Sequence, residues 1–263
     1  MDRIAGDDLL YEAADGIARV VFNRPDARNA LTMEMYEGLA EICRALAPGG
    51  EVRALVIEGA GDRAFAAGTD MALFREFSTA GHALDYERRM EAVFDAIERC
   101  PVPTIAALTG ACTGGGAAIA AAADLRVADA RLKYGFPIAR TLGNCLSVAT
   151  LDRVGRVVGF ARLREILFTA RLIEAEEARR IGLVSELYED AATCRAQARE
   201  LAETVAGHAP ITLRATKEAL RRLRVEGPAA DGSDLIAEAY TSADFREGME
   251  AFLAKRKPEW SGR

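Results

Sequence analysis

The chain has 263 residues, carries 34 basic against 40 acidic side chains for a formal charge of −6, and is 50% hydrophobic and 28% charged. That balance suits one large core, or one core with an appendage, and argues against intrinsic disorder and against a nucleic-acid-binding surface. Two histidines (His82, His208) and five cysteines (Cys43, Cys100, Cys112, Cys145, Cys194) without a C-x-x-C pair argue against a His-rich metal site, a zinc motif or a disulfide framework.

Residues 1–8 are acidic and lack the basic region and apolar run of a signal peptide, so the chain reads as soluble and cytoplasmic. Residues 9–12 and 17–22 flank the turn signal Asp15-Gly16 and predict a hairpin. Thr32 can cap a helix that holds Glu34 in its first turn. Met35, Leu39, Ile42, Cys43 and Leu46 recur along it at helical spacing, and Pro48-Gly49-Gly50 stops it. The apolar run 54–57 suits a buried parallel strand. A loop over 59–68 and a helical stretch through Arg99 follow.

From Cys100 to Ala123 there is no charge, but Pro101, Pro103, Gly110 and three consecutive glycines interrupt a largely alanine run, a poor membrane helix. It reads as a strand over 104–108, a glycine loop and a closely packed helix, with a further strand near 125–127. Alternating strands and helices predict a layered α/β core with right-handed crossovers. From Ser147 onward the pattern is helical, with a helix over 174–181 ended by Gly182 and one strand over 183–186. The last helices span 211–224 and 233–257, separated by Gly227-Pro228.

Several chemistries fail on their motifs. There is no G-x-x-x-x-G-K-[ST], no G-x-S-x-G, no complete dinucleotide fingerprint and no metal-ligand spacing. Two glycine-bearing segments remain, 64–71 and 109–118, each after a buried strand and before a helix. Loops at the carboxyl ends of parallel strands are where α/β folds place ligands, and helix N-termini there offer free N–H groups. Two converging N–H donors would form an oxyanion hole for a thioester or enolate oxygen. The same glycines would also serve tight turns and close helix packing alone.

Asn23-Arg24-Pro25 with Asn29-Ala30-Leu31, then segments 64–71 and 110–116, resemble the enoyl-CoA hydratase/isomerase (crotonase) superfamily. The resemblance continues through Ala175-Glu176-Glu177-Ala178, Ile181-Gly182-Leu183-Val184, Lys217-Glu218-Ala219 and 247–253, in order over nearly the whole chain. It implies an α/β fold with a spiral ββα core (1–200) and a helical C-terminal region (201–263) that packs trimers or dimers of trimers. It implies an acyl-CoA thioester as ligand, with CoA part of the substrate, and no separate cofactor, nucleic acid or membrane.

By motif match, the N–H groups of Thr69 and Gly115 are the oxyanion donors. Ala66, Gly68, Asp70, Met71, Gly116 and Asn144 fall on the substrate-binding segments. Arg24, Arg28, Arg63, Lys255 and Arg256 are candidate cations for the CoA phosphates. The two positions where hydratases of the family carry catalytic glutamates hold Ala118 and Ile138, neither of which moves a proton.

Asp70, His82, Asp85 and Glu87 are candidate substitutes, Asp70 reading first as a structural residue. Tyr134, Arg140, Thr141, Asn144 and Cys145 fall on the loop expected to face the acyl group. Cys112 and Cys145 read as buried thiols and His208 as a surface or interface residue. Three functions follow from the resemblance: a hydratase/isomerase-like enzyme with an unconventional acid/base, a decarboxylase-type enzyme relying on the oxyanion hole, or a non-catalytic CoA-thioester-binding protein.

Overall fold

The computed structural model describes residues 2–3, 6–75 and 77–263; Met1, Ile4 and Ala5 of the acidic N-terminal stretch, and Glu76, lie outside them. The first strands are β1 (Asp2–Arg3), β2 (Leu9–Ala14) and β3 (Ile17–Phe22), with β2 and β3 antiparallel around Asp15-Gly16 as the sequence predicts. Helix α1 (Met33–Ala45) begins where Thr32 accepts a hydrogen bond from the Met35 N–H at 3.3 Å. Next come β4 (Ala54–Gly59), β5 (Ala64–Ala66), a short 3-10 turn over 71–74 and helix α2 (Ala80–Glu98).

The uncharged stretch then folds as β6 (Thr104–Leu108), β7 (Ala111–Thr113) and helix α3 (Gly115–Ala122). Strands β8 (Leu125–Asp129) and β9 (Lys133–Gly135) precede helices α4 (Ile138–Thr141), α5 (Val148–Val158) and α6 (Phe160–Thr169). After β10 (Ile173–Glu174), α7 (Ala175–Arg180) and β11 (Leu187–Tyr188) come four helices: α8 (Ala191–Ala206), α9 (Pro210–Glu226), α10 (Ser233–Thr241) and α11 (Ala243–Ala254).

The strands form two sheets. The larger runs β1-β2-β3-β4-β6-β8-β11, antiparallel at the hairpin end and parallel from β3 to β11. Strand β4 is buried along its whole length because both of its faces are covered. Leu55 and Ile57 point into the main core, while Ala54 and Val56 pack with Cys194, Ala198 and Ala202 of α8 on the other face.

The smaller sheet runs β10-β9-β7-β5, with β5, β7 and β9 parallel. Three-residue strands such as Ala64–Ala66 carry too few alternations to declare themselves, which is why the sequence reads this region as loop.

Two expectations are corrected in the second half. Residues 183–186 are not a strand: Leu183 and Val184 are buried just past α7 through backbone bonds to the Ala178 carbonyl, and the strand lies at Leu187–Tyr188. The last predicted helix is two helices, because the Ser242 hydroxyl accepts from the Phe245 N–H at 3.0 Å and starts a new one. Among the described residues, no helix is long and apolar enough to cross a membrane.

Candidate active site

Strand β4 delivers the chain to β5, and Asn29 fixes the transition. Its fully buried amide donates to the carbonyls of Ala60 (3.0 Å) and Ala64 (2.7 Å), while its oxygen accepts from the Arg24 N–H (3.0 Å). Beyond β5, Leu31 and Thr69 form a parallel bridge. The Leu31 N–H donates to Gly68 O (2.8 Å), and the Asp70 N–H donates to Leu31 O (2.9 Å). Those bonds use one edge of the strand, so the Thr69 N–H points to the opposite side. It has no protein acceptor among the described residues.

The second donor arises where β7 meets α3. Gly115 is the first residue of that helix, where N–H groups have no intrahelical acceptor. The preceding Gly114 has φ +55, a left-handed conformation that a side chain would strain. A Cβ on Gly115 would lie 1.6 Å from Tyr36 Oη and 3.2 Å from Thr69 Oγ1. One on Gly116 would lie 2.5 Å from the Ala66 carbonyl oxygen. The glycines therefore serve close approach as well as the turn, and they bring Thr69 and Gly115 side by side.

Both residues line a cavity of about 270 Å³, into which Gly68, Met71, Ala118, Ile138 and Asn144 also face. Its walls are mostly apolar, with Met90, Phe94, Phe136 and Leu146 prominent. Arg153 of α5 holds the α2 wall: its buried guanidinium pairs with Glu91 (2.8 Å) and Glu98 (3.0 Å), and it lies 5.5 Å from the Phe94 ring centroid.

Two tyrosines that the sequence reading passed over complete the site. Thr69 Oγ1 lies 2.9 Å from the Tyr36 hydroxyl and 2.9 Å from the Tyr86 hydroxyl. Burial pushes both phenols above their ordinary range, so they stay protonated. Tyr36 sits on the buried stripe of α1 among Met35, Leu39 and Cys43, and nothing in the spacing separates a site tyrosine from a core one.

The other candidates are scattered. Arg24 donates to the Ala30 carbonyl (2.6 Å) and Asp70 (2.8 Å), bracing the two loops against each other. Asp70 also accepts from the Ala72 N–H at 3.0 Å; that bond first, then Arg24, holds its carboxyl below the usual range. Ala66 and Gly116 are buried beneath the cavity, Arg28 and Arg63 are exposed, and Lys255 ends α11 in a left-handed conformation. Arg256 pairs with Glu247.

Thr141 and Cys145 line the cavity, and Cys145 is exposed rather than buried because residues 141–145 all lie at the surface. Arg140 is exposed outside the cavity, and Tyr134 is core, donating to Ala117 O at 3.0 Å. His82 is exposed, with Nδ1 accepting from the Ser78 N–H, and Asp85 pairs with Arg88. His208 is exposed, and burial pushes the Cys112 thiol up. Of the four substitutes expected from sequence, Glu87 alone lines the cavity.

The sequence profile described as enoyl-CoA hydratase/isomerase matches residues 12–263. The chain belongs to the enoyl-CoA hydratase/isomerase family. It is 30% identical over 256 residues to the short-chain-enoyl-CoA hydratase of Clostridium acetobutylicum, covering 96% of this chain and 97% of that protein. It is likewise 30% identical over 257 residues to the crotonyl-CoA hydratase of Syntrophomonas wolfei, covering 97% and 98%. The crystal structure of an enoyl-CoA hydratase/carnitine racemase from Magnetospirillum magneticum superposes with a TM-score of 0.89 at 32% identity, covering 98% of this chain and 96% of that one. The α/β architecture is thus the crotonase fold, with the mixed sheets and helical C-terminal region that the resemblance implies.

Proposed function

We propose that the protein binds an acyl-CoA thioester and stabilises its enolate through the N–H groups of Thr69 and Gly115. The observation that carries this reading is the pair of backbone donors, neither with an acceptor among the described residues, on touching loops that line a largely apolar cavity. A thioester carbonyl seated there gains most from those donors once its oxygen bears enolate charge, so they favour the transition state over the ground state. Main-chain donors make no demand on side-chain identity, and Thr69 can serve as long as its own hydroxyl is held away by the tyrosines.

Ala118 and Ile138 both face the cavity and carry no proton, so ordinary hydration, which needs two carboxylates working on water, lacks its usual means here. The apolar wall they form suits chemistry resting mainly on enolate stabilisation. Decarboxylation of a malonyl-type thioester is the second reading that this wall favours.

Assembly belongs to the same reading. Leu220, Ile236, Tyr240, Phe252 and Leu253 on α9 to α11 are all more than 60% exposed. Packing into trimers or paired trimers would cover them.

A panel of saturated, 2-enoyl, 3-enoyl and malonyl-type CoA thioesters tests the function, with binding measured by calorimetry and turnover by product analysis. Saturable binding with an acyl-chain preference is expected. Absence of binding across the panel by folded protein overturns the reading, and loss of CO₂ from the malonyl thioester selects the second one.

A further inference from the structure

Helix α2 presents one face to the cavity, with Glu87, Met90 and Phe94 following at spacings of three and four residues. Among the described lining residues, Glu87 is the only Asp, Glu, His, Lys or Arg. Its carboxylate makes no hydrogen bond or ion pair with the described residues, whereas its helical neighbour Glu91 is held by Arg153 at 2.8 Å. Helix α2 is also tied to the oxyanion loop through the adjacent residue, since the Tyr86 hydroxyl meets Thr69 Oγ1 at 2.9 Å.

We propose that Glu87 is the proton-transfer group of this cavity, acting on the carbon next to a bound thioester carbonyl. The inference rests on the acyl-CoA reading above and deepens it. Ionised Glu87 takes the α-proton: the C–H bond breaks, an O–H bond forms on the carboxylate, and the electron pair becomes the C=C bond of the enolate. The negative charge moves to the thioester oxygen beside the Thr69 and Gly115 N–H groups. The proton then returns to the α-carbon, or to the γ-carbon of a 3-enoyl chain, which shifts the double bond with no other reactant.

One carboxylate is sufficient for this exchange, and Glu87 is only partly buried, so its acquired proton trades with solvent before it is returned. A fixed negative charge here also disfavours a malonyl carboxylate, so Glu87 favours proton transfer over decarboxylation. Burial, and then the nearby Glu91, raise the Glu87 carboxyl above the usual carboxylate range, which strengthens it as a base.

Hexanoyl-CoA in D₂O provides the test, with α-deuterium incorporation read by mass spectrometry and binding by calorimetry on the same preparations. Wild type is expected to bind and exchange. Glu87→Gln should bind within about threefold of wild type and exchange at least about 10²-fold more slowly, and Glu87→Asp should retain part of the rate. Exchange by Glu87→Gln at the wild-type rate overturns the proposal. Wild type that binds but does not exchange overturns it while leaving the acyl-CoA reading intact. Wild type that fails to bind hexanoyl-CoA or any longer acyl-CoA overturns both.

Discussion

Replacing Gly115 by alanine tests the packing of the donor pair directly. The new methyl would lie 1.6 Å from Tyr36 Oη and 2.9 Å from its Cζ. Real Cβ contacts essentially never fall below 3.0 Å, so the hydroxyl and the helix start must separate by about 1.4 Å. Tyr36 is fully buried on α1 with its hydroxyl bonded to Thr69, so relief means breaking that bond and turning the hydroxyl into the cavity it borders. The strain falls in the usual range for overpacking, about 1–3 kcal/mol. Tyr36→Phe removes the nearest atom and leaves a carbon that must give by only a tenth of an ångström or so. In that background the alanine should cost less than about 1 kcal/mol, giving a coupling energy of about 1–2 kcal/mol between the positions. Urea denaturation of wild type, both single variants and the double variant, at one protein concentration, measures that coupling. The reasoning is refuted if Gly115→Ala is as stable as wild type, or if its penalty is unchanged by Tyr36→Phe.

Thr69→Val removes the hydroxyl shared by two tyrosines and leaves fully buried Tyr36 without its partner, so a loss of about 1–3 kcal/mol is expected by urea denaturation. Thr69→Ser should restore most of it. Glu218 is pushed down to about 2 by hydrogen bonds from Arg221 and then Arg222, against an ordinary 4.5. Because its folded-state pKa is depressed, its stabilising contribution is complete above about pH 4.5 and drains away as pH falls toward 2. Glu218→Gln should flatten the urea midpoint between pH 5 and pH 3 relative to wild type, and parallel curves would contradict this.

Phe252 and Leu253, 84% and 74% exposed, should be covered by another subunit. Changing both to Asp should convert the trimeric or hexameric species expected in sedimentation velocity to the 28.3 kDa chain, and a wild-type monomer would refute the assembly. Arg24→Ala should weaken binding of acyl-CoA and acyl-pantetheine alike, because Arg24 braces the loop that carries the Thr69 N–H. Exposed Arg28, if it meets the phosphates, should when changed to Ala weaken acyl-CoA alone.

The parts of the fold that could be read from sequence are those with enough residues to show a period or a stop signal. The hairpin around Asp15-Gly16, the Thr32-capped helix and the uncharged strand over 104–108 all have them. Strands β5, β7, β9 and β10 do not; two or three residues long, they are strands only because a partner lies alongside. The split at Ser242 was visible in principle, since a serine can cap a helix, but the apolar repeat runs on through it. At the site, glycines marked the two loops because backbone demands leave residue-specific traces. Tyr36 and Tyr86 left none, since a phenol on a buried helical stripe looks like core until its hydroxyl is seen to end on Thr69.

The two halves of the proposed chemistry differ in how tightly the fold holds them. Holding enolate charge falls to two N–H groups, one set by the Leu31–Thr69 bridge and one by the start of α3. No side-chain substitution removes either proposed donor unless it displaces backbone, which is why the proposed pair is compatible with Thr69, Ala118 and Ile138 at these positions. Moving a proton falls to a side chain, and any wall of the cavity can supply one if its carboxylate reaches the α-carbon and is not claimed by an arginine. Helix α2 meets the second condition at Glu87 and fails it at Glu91, where Arg153 has taken the charge to fix the wall. The chain carries 40 acidic residues, and what limits its chemistry is which of them faces the cavity unpaired.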